Sequence, residues 1–277
     1  MAKARYLSQP GPRAKPQLFA PGLISTRGEH EFGSVFSADG LEFFYGVDVG
    51  GRTETRTVVF RDGVWGEPEV VLADAEYGFN DPFLSPDGKR LYFITDMPLD
   101  GGEGAPDHDI GYVERGVEGW SEPKDPGPSI NTEFNEYYIS FTSEGDMYFG
   151  SDRPGVGGEQ RGFDLFVSRW ADGGFQPASR LVGEVNTEHY EADVFVAPGE
   201  SYVIFSSQRP DGLGRGDLYV SFRRTDGTWR PAKSLGAPIN SAGHELCPFV
   251  TSDGKYLFYT SGGDIYWVAA RVLEELR

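Results

Sequence analysis

The sequence predicts an all-β chain: a five-bladed β-propeller with four-stranded antiparallel blades, closed by its N-terminal strand. Three observations lead there. A turn followed by an apolar strand recurs five times, at SADGLEFFYG 37–46, SPDGKRLYFIT 85–95, TSEGDMYFGS 142–151, APGESYVIFSS 197–207 and TSDGKYLFYTS 251–261. The copies are spaced by about 48 to 57 residues, within the period of propeller blades. Gly 38 and Pro 19 are spread along 277 residues that still carry 14% aromatics, which describes many short strands joined by turns rather than a disordered chain.

Each copy unfolds into the same series of elements. An apolar segment precedes the turn: GSVFS, PFLS, YISFT, DVFVA and PFVTS. Asp-Gly between two apolar runs is a strong hairpin signal, because such turns need positive φ. A Gly-rich loop follows the second strand, and then an aspartate opens a third: Asp109 before IGYV, Asp164 before LFVS, Asp217 before LYVS, Asp264 before IYWV. An aromatic with a nearby proline comes last: Trp65 and Pro68, Trp120 and Pro123, Phe175 and Pro177, Trp229 and Pro231. Proline suits an outer edge strand, where its missing N–H is not needed. The blade bodies fall at about 29–73, 77–127, 134–182, 189–237 and 243–272. The fifth copy stops after its third strand, and KPQLFAPGLIS at 15–25 resembles the outer segments of other copies, so residues near 15–22 are expected to complete it. This gives an N-terminal arm, 1–14, and one propeller domain, 15–277.

The formal net charge of −18 argues against nucleic acid and anionic membrane surfaces as partners. It suits a protein that attracts cations or basic partners. The single cysteine, Cys247, allows no intrachain disulfide and reads as a small buried hydrophobe. The N-terminus is basic without an apolar stretch, and no apolar run approaches a membrane span, so a cytoplasmic location is expected.

The phrase S-P-D-G-K-x-L-Y-F followed by D-[IL]-[YF]-V resembles the WD40-like (PD40) repeat of TolB and many bacterial propellers. The resemblance covers nearly the whole chain and implies the propeller fold. It leaves function open, since that fold serves scaffolds, peptidase gates and enzymes alike. The chain shows neither the secretion signal nor the separate N-terminal α/β domain of TolB, which sets a periplasmic TolB-like role aside as an expectation.

Aligned on the turn, one upstream position holds Glu31, Phe79, Glu136, Glu191 and Glu245. His30, His189 and His244 stand beside it, and Asp81, Asp193 and Cys247 lie two residues beyond. The segment entering an inner strand lines the channel mouth, so these residues are expected to converge. Two unit charges at about 6 Å interact by roughly 3 kcal/mol at an effective dielectric near 20, so a glutamate ring calls for a cation, a basic partner or raised pKa values. Three histidines with carboxylates suit a divalent metal: Zn, Mn or Fe, with Ca the choice if carboxylates dominate. Such a set resembles the channel metal site of propeller-fold oligogalacturonate lyases, a likeness limited to the type of site. The metal set is His30, His189, His244, Glu31 and Glu245, with Glu136 and Glu191 as catalytic acid or base. The opposing reading makes the glutamates a repeat feature that accepts backbone N–H bonds. Asn131, Asn186 and Asn240 read as loop caps, and Arg153 and Arg209 as partners of Asp164 or Asp217.

Two functions follow. One is a metal-dependent hydrolase or lyase acting on a small polar or carbohydrate-like substrate at the channel mouth. The other is a non-catalytic TolB-like propeller whose acidic face binds a basic peptide or a protein partner.

Overall fold

The chain is a five-bladed β-propeller, here a computed structural model describing residues 5–99, 107–117, 119–154 and 162–277. Blade one comprises His30–Phe36, Glu42–Asp48 and Thr53–Arg61, followed by Val64–Trp65 and Glu69–Leu72, both paired to the third strand. Blade three runs Glu136–Phe141, Met147–Ser151, Asp164–Ser168 and Ser179–Arg180. Blade four runs Glu191–Val196, Tyr202–Ser207, Asp217–Phe222 and Lys233–Ser234. All pairings are antiparallel.

Blade two departs from the expected four strands. Among the described residues it has three, Asn80–Leu84, Arg90–Thr95 and Asp109–Glu114. Its fourth is reduced to single bridges, Tyr112 with Lys124 and Arg115 with Trp120. The Trp-Ser-Glu-Pro-Lys stretch supplies only two separated partners, one at each end.

Blade five is Glu245–Val250, Tyr256–Ser261 and Asp264–Ala269, completed by Gln17–Leu18 from the other end of the chain. Gln17 pairs with Trp267 and Leu18 with Tyr266. Phe19 then buries fully among Phe36, Phe43, Phe258 and Trp267, with ring centroids 4.9 to 6.0 Å apart. Edge-to-face aromatic pairs of this kind contribute about 0.5–1.5 kcal/mol each beyond area burial. The preceding residues dock as well: Tyr6 packs edge-on against Phe36 and Tyr256 and donates its hydroxyl to Asp253 at 2.7 Å. Among the described residues no helix is long and apolar enough to cross a membrane.

Each inner strand carries one β-bulge at the same place. The pairing register slips between Phe32 and Ser34, Asn80 and Phe83, Tyr137 and Ile139, Ala192 and Phe195, and Leu246 and Phe249. The bulged residues Gly33, Asp81, Tyr138, Asp193 and Cys247 are all left-handed, with φ between 47° and 52°. A bulge re-aims one side chain out of the alternating pattern of a strand. Here it turns one residue per blade toward the common axis.

Candidate functional site at the channel axis

The recurring glutamates do not form the expected ring. Each accepts the backbone N–H and the hydroxyl of a Thr or Ser in the loop before it: Thr26 for Glu31, Thr132 for Glu136, Thr187 for Glu191 and Ser241 for Glu245, at 2.6 to 3.1 Å. Ser151, Ser207 and Ser261, at the end of the second strands, donate to three of them. Each glutamate's own N–H reaches back to the preceding blade, on His108, Phe163, Gly216 or Gly263. All four side chains have no solvent exposure. These carboxylates are therefore stitches between blades, each enclosed in its own cradle.

Two of the cradles hold an arginine. Arg153 donates to Glu136 at 2.8 Å and Arg209 to Glu191 at 3.2 Å. The expected partners are otherwise occupied: Asp164 is held bidentately by Arg180, and Asp217 accepts the N–H groups of Leu213 and Gly214. Burial pushes Glu136 up while the Arg153 charge draws it back. Enclosed and paired in this way, Glu136 and Glu191 offer no face to a substrate. The asparagines complete the stitch. Asn131, Asn186 and Asn240 each accept the N–H and donate to the C=O of one third-strand residue in the preceding blade: Ile110, Leu165 and Leu218.

The histidines are also dispersed. His30 is exposed beside Gly263, at the junction of blades five and one. His244 lies against Gly216 between blades four and five, its pKa lowered by burial and by Arg215. The His189 ring lies 4.0 Å from Glu188, and its backbone N–H donates to Thr187 Oγ1 at 3.2 Å. His108 packs against Tyr137, with ring centroids 5.0 Å apart and planes tilted by 30°. Among the described residues no three His, Cys, Asp or Glu side chains come together as a metal-holding group, so the divalent metal and its five ligands stand as expectations only.

What does converge is the set of bulged residues. Contacts between non-adjacent blades locate them on the axis. The Cys247 thiol of blade five donates to Asp81 Oδ1 of blade two at 3.2 Å. The Tyr138 hydroxyl of blade three donates to the Pro248 carbonyl of blade five at 2.8 Å. Blade one leaves the space: a Cβ on Gly33 would fall 2.5 Å from Asp81 Oδ1. Next to this layer Phe83, Phe141, Phe195 and Phe249 plug the channel, with centroids about 6 Å apart.

The axial groups are shifted toward their neutral forms. Burial pushes Asp81 up to about 6. Burial first, and then the charge of Asp81, pushes Asp193 up to about 8. The Cys247 thiol rises well above its usual range through burial, with both aspartates adding to the effect. The Asp193 carboxyl has no side-chain hydrogen bond among the described residues and is partly open to solvent. Around it runs an aromatic row, His108, Tyr137, Phe163 and Tyr190, with successive centroids 5.0 to 5.5 Å apart. Burial raises the Tyr137 hydroxyl to about 12, and the charges that act on it most are all aspartates: Asp81, Asp152, Asp193 and Asp96.

Comparison with solved structures places the fold among TolB-type propellers. A TolB from Acinetobacter baumannii superposes with TM-score 0.53 at 16% identity, over 86% of this chain and 53% of that one. A putative TolB from Agrobacterium tumefaciens gives 0.52 at 15%, over 84% and 70%. A Dyadobacter fermentans protein of unknown function gives 0.55 at 14%, over 91% and 80%. The chain thus spans about half the length of the Acinetobacter protein. At these identities the likeness is one of fold. No protein-family model and no curated protein matches the chain.

Proposed function

We propose that this propeller is a non-catalytic binding module whose channel mouth, over Asp193, receives a cationic segment of a partner protein. The observation that carries it is the mouth itself: an aromatic row from His108 to Tyr190 whose strongest neighbouring charges are aspartates. Aromatic faces and carboxylates together favour ammonium and guanidinium groups, at about 0.5–2 kcal/mol for each ring a cation covers. A net charge of −18 steers such a partner inward. The enzymatic alternative needs accessible acid and base groups, and Glu136 and Glu191 are committed to arginine, serine and threonine.

A fluorescent Lys-Gly repeat peptide is a suitable probe, followed by anisotropy at low and high salt at pH 9, above the value of about 8 to which Asp193 is raised, so that its carboxylate carries its charge. Saturable binding that weakens with salt and falls severalfold in Tyr137→Ala and Asp193→Asn supports the reading. Binding unchanged by both substitutions, or no binding at low salt, refutes it.

A further inference from the structure

The glutamate stitch is built four times, and one copy differs from the others in a way that points to a ligand. At Glu136 a single carboxylate oxygen takes three donors, the hydroxyls of Thr132 and Ser151 and the Arg153 guanidinium, at 2.8 to 3.0 Å. Glu191 repeats the set with Thr187, Ser207 and Arg209, at 2.6 to 3.2 Å. Each arginine also donates to a backbone carbonyl in the loop before its glutamate, Ile130 or Val185.

Strand register identifies the counterparts. Glu136 pairs with Ser151 and Glu191 with Ser207, and the arginine stands two residues further on. Glu245 pairs with Ser261, which still donates its hydroxyl, and Gly263 holds the arginine's place. There the His30 ring closes over Gly263, 3.1 Å from where a Cβ would stand, and both Glu245 oxygens have donors. Glu31 pairs with Val47, and the arginine's place falls to Val49. Neither valine side chain can donate. Thr26 gives its N–H and its hydroxyl to Oε1 alone, at 3.0 and 2.9 Å. Oε2 is buried without a hydrogen-bond partner, on a side chain with no solvent exposure. Burial raises the Glu31 carboxyl, the Thr26 donors lower it, and the charges that act on it, Asp264 and Glu29, are both negative. Arg56, on the third strand of the same blade, is committed to Glu54 at 2.6 Å and to Glu29 at 3.1 Å. The approach is open: Val49 is 48% exposed, and a Cβ on Gly50 or Gly51 would meet nothing within 4 Å.

We infer that the blade-one stitch is a guanidinium-binding site, in which a guanidinium from outside the chain takes the place at Glu31 that Arg153 and Arg209 take at Glu136 and Glu191. A buried carboxylate oxygen without a donor is costly, and a guanidinium answers it with charge and N–H donors together. Its planar fork suits a carboxylate better than the point charge of an ammonium does. The site draws on neither Asp193 nor the aromatic row of the channel mouth.

Methylguanidinium is the probe, tetramethylammonium at equal ionic strength its control, and thermal denaturation at pH 9 the measurement. Every protein carries Asp193→Asn, which removes the charge of the mouth, so the two sites fail separately. At about ten times its dissociation constant, the probe should raise the melting temperature by about 3 °C, and the rise should saturate. Glu31→Gln should abolish the rise. Val49→Arg supplies the guanidinium from within the chain, so it should melt higher without the probe and gain nothing from it. N-acetyl-arginine methylamide separates the sources: tighter binding than methylguanidinium assigns the group to an arginine of a polypeptide, weaker binding to a free small molecule. No saturating rise, an equal rise with tetramethylammonium, or a rise unchanged by Glu31→Gln overturns the inference. A Val49→Arg protein that folds and still responds as its parent does overturns it too. If Val49→Arg does not fold, Glu31→Gln with the tetramethylammonium control still decides.

Discussion

Replacing Asp193 by asparagine should stabilise the protein, and by an amount that grows with pH. Asp193 sits in the left-handed region at φ 52°, which asparagine tolerates, so the change removes a titrating group without adding backbone strain. Its carboxyl is raised by burial and by Asp81 to about 8, whereas in the unfolded chain it titrates near 4. A raised native pKa means that the unfolded state gives up its proton first. Stability from this group is therefore complete below about pH 4 and declines as pH rises toward 8. At about 1.4 kcal/mol per pH unit, the loss by pH 7 reaches roughly 4 kcal/mol. That figure is an upper bound, because the side chain is partly open to the channel and water there screens it. The variant should thus melt above wild type by several degrees at pH 7, taking about 2 °C per kcal/mol for a chain this long. At pH 4 the two should coincide. Thermal denaturation of both proteins across pH 4 to 8 measures this. A difference independent of pH, or a wild type more stable at pH 7, would falsify the account of the axis.

Two other outcomes follow from the stitches between blades. Glu136→Gln should destabilise by about 3–5 kcal/mol in urea titration, since it strands the half-buried Arg153 charge, whereas Glu31→Gln should cost under about 1 kcal/mol or stabilise. Glu31 has no arginine, its pKa is raised by burial, and its Oε2 is buried without a hydrogen-bond partner. Deleting residues 1–22 removes Gln17–Leu18 and Phe19 from blade five; a large drop in melting temperature with concentration-dependent association is expected, and a truncated chain that melts like the full one would sink the closure argument.

The blades were legible because they repeat. Turn glycines, apolar runs and the aspartates opening third strands recur for geometric reasons that act on a single copy at a time, so one sequence displays the pattern five times. The same regularity misdirected the site. Glu31, Glu136, Glu191 and Glu245 recur because four of the five blades use the same stitch, and a residue repeated for structure is spent on structure. The arginine partners were misassigned for a related reason: Asp164 and Glu136 lie at similar remove in sequence from Arg153, and only the fold decides which is in reach. The axis obeys the opposite rule. Five equivalent positions meet there in a space too small for five equal side chains, as the clash of any Cβ on Gly33 with Asp81 shows. Position two beyond the glutamate had to vary, and it does: Gly33, Asp81, Tyr138, Asp193, Cys247. Departure from the repeat, rather than adherence to it, was the signal. The weak fourth strand of blade two had no sequence marker, since Trp120 and Pro123 are present as in the other copies.

Closure by the first strand also sets a timetable for synthesis. Gln17, Leu18 and Phe19 are made before any blade, but their partners Trp267, Tyr266 and Ile265 are made roughly 250 residues later, which at 5–20 residues per second is about 12 to 50 seconds. Throughout that interval Phe19 has no Trp267 or Phe258 to pack against, and blade one must wait beside an unfinished neighbour. The blades can pair internally as they emerge, because their hairpins are local. The ring cannot become a ring until Ile265, Tyr266 and Trp267 have been made, so this aromatic junction is also the last to be sealed.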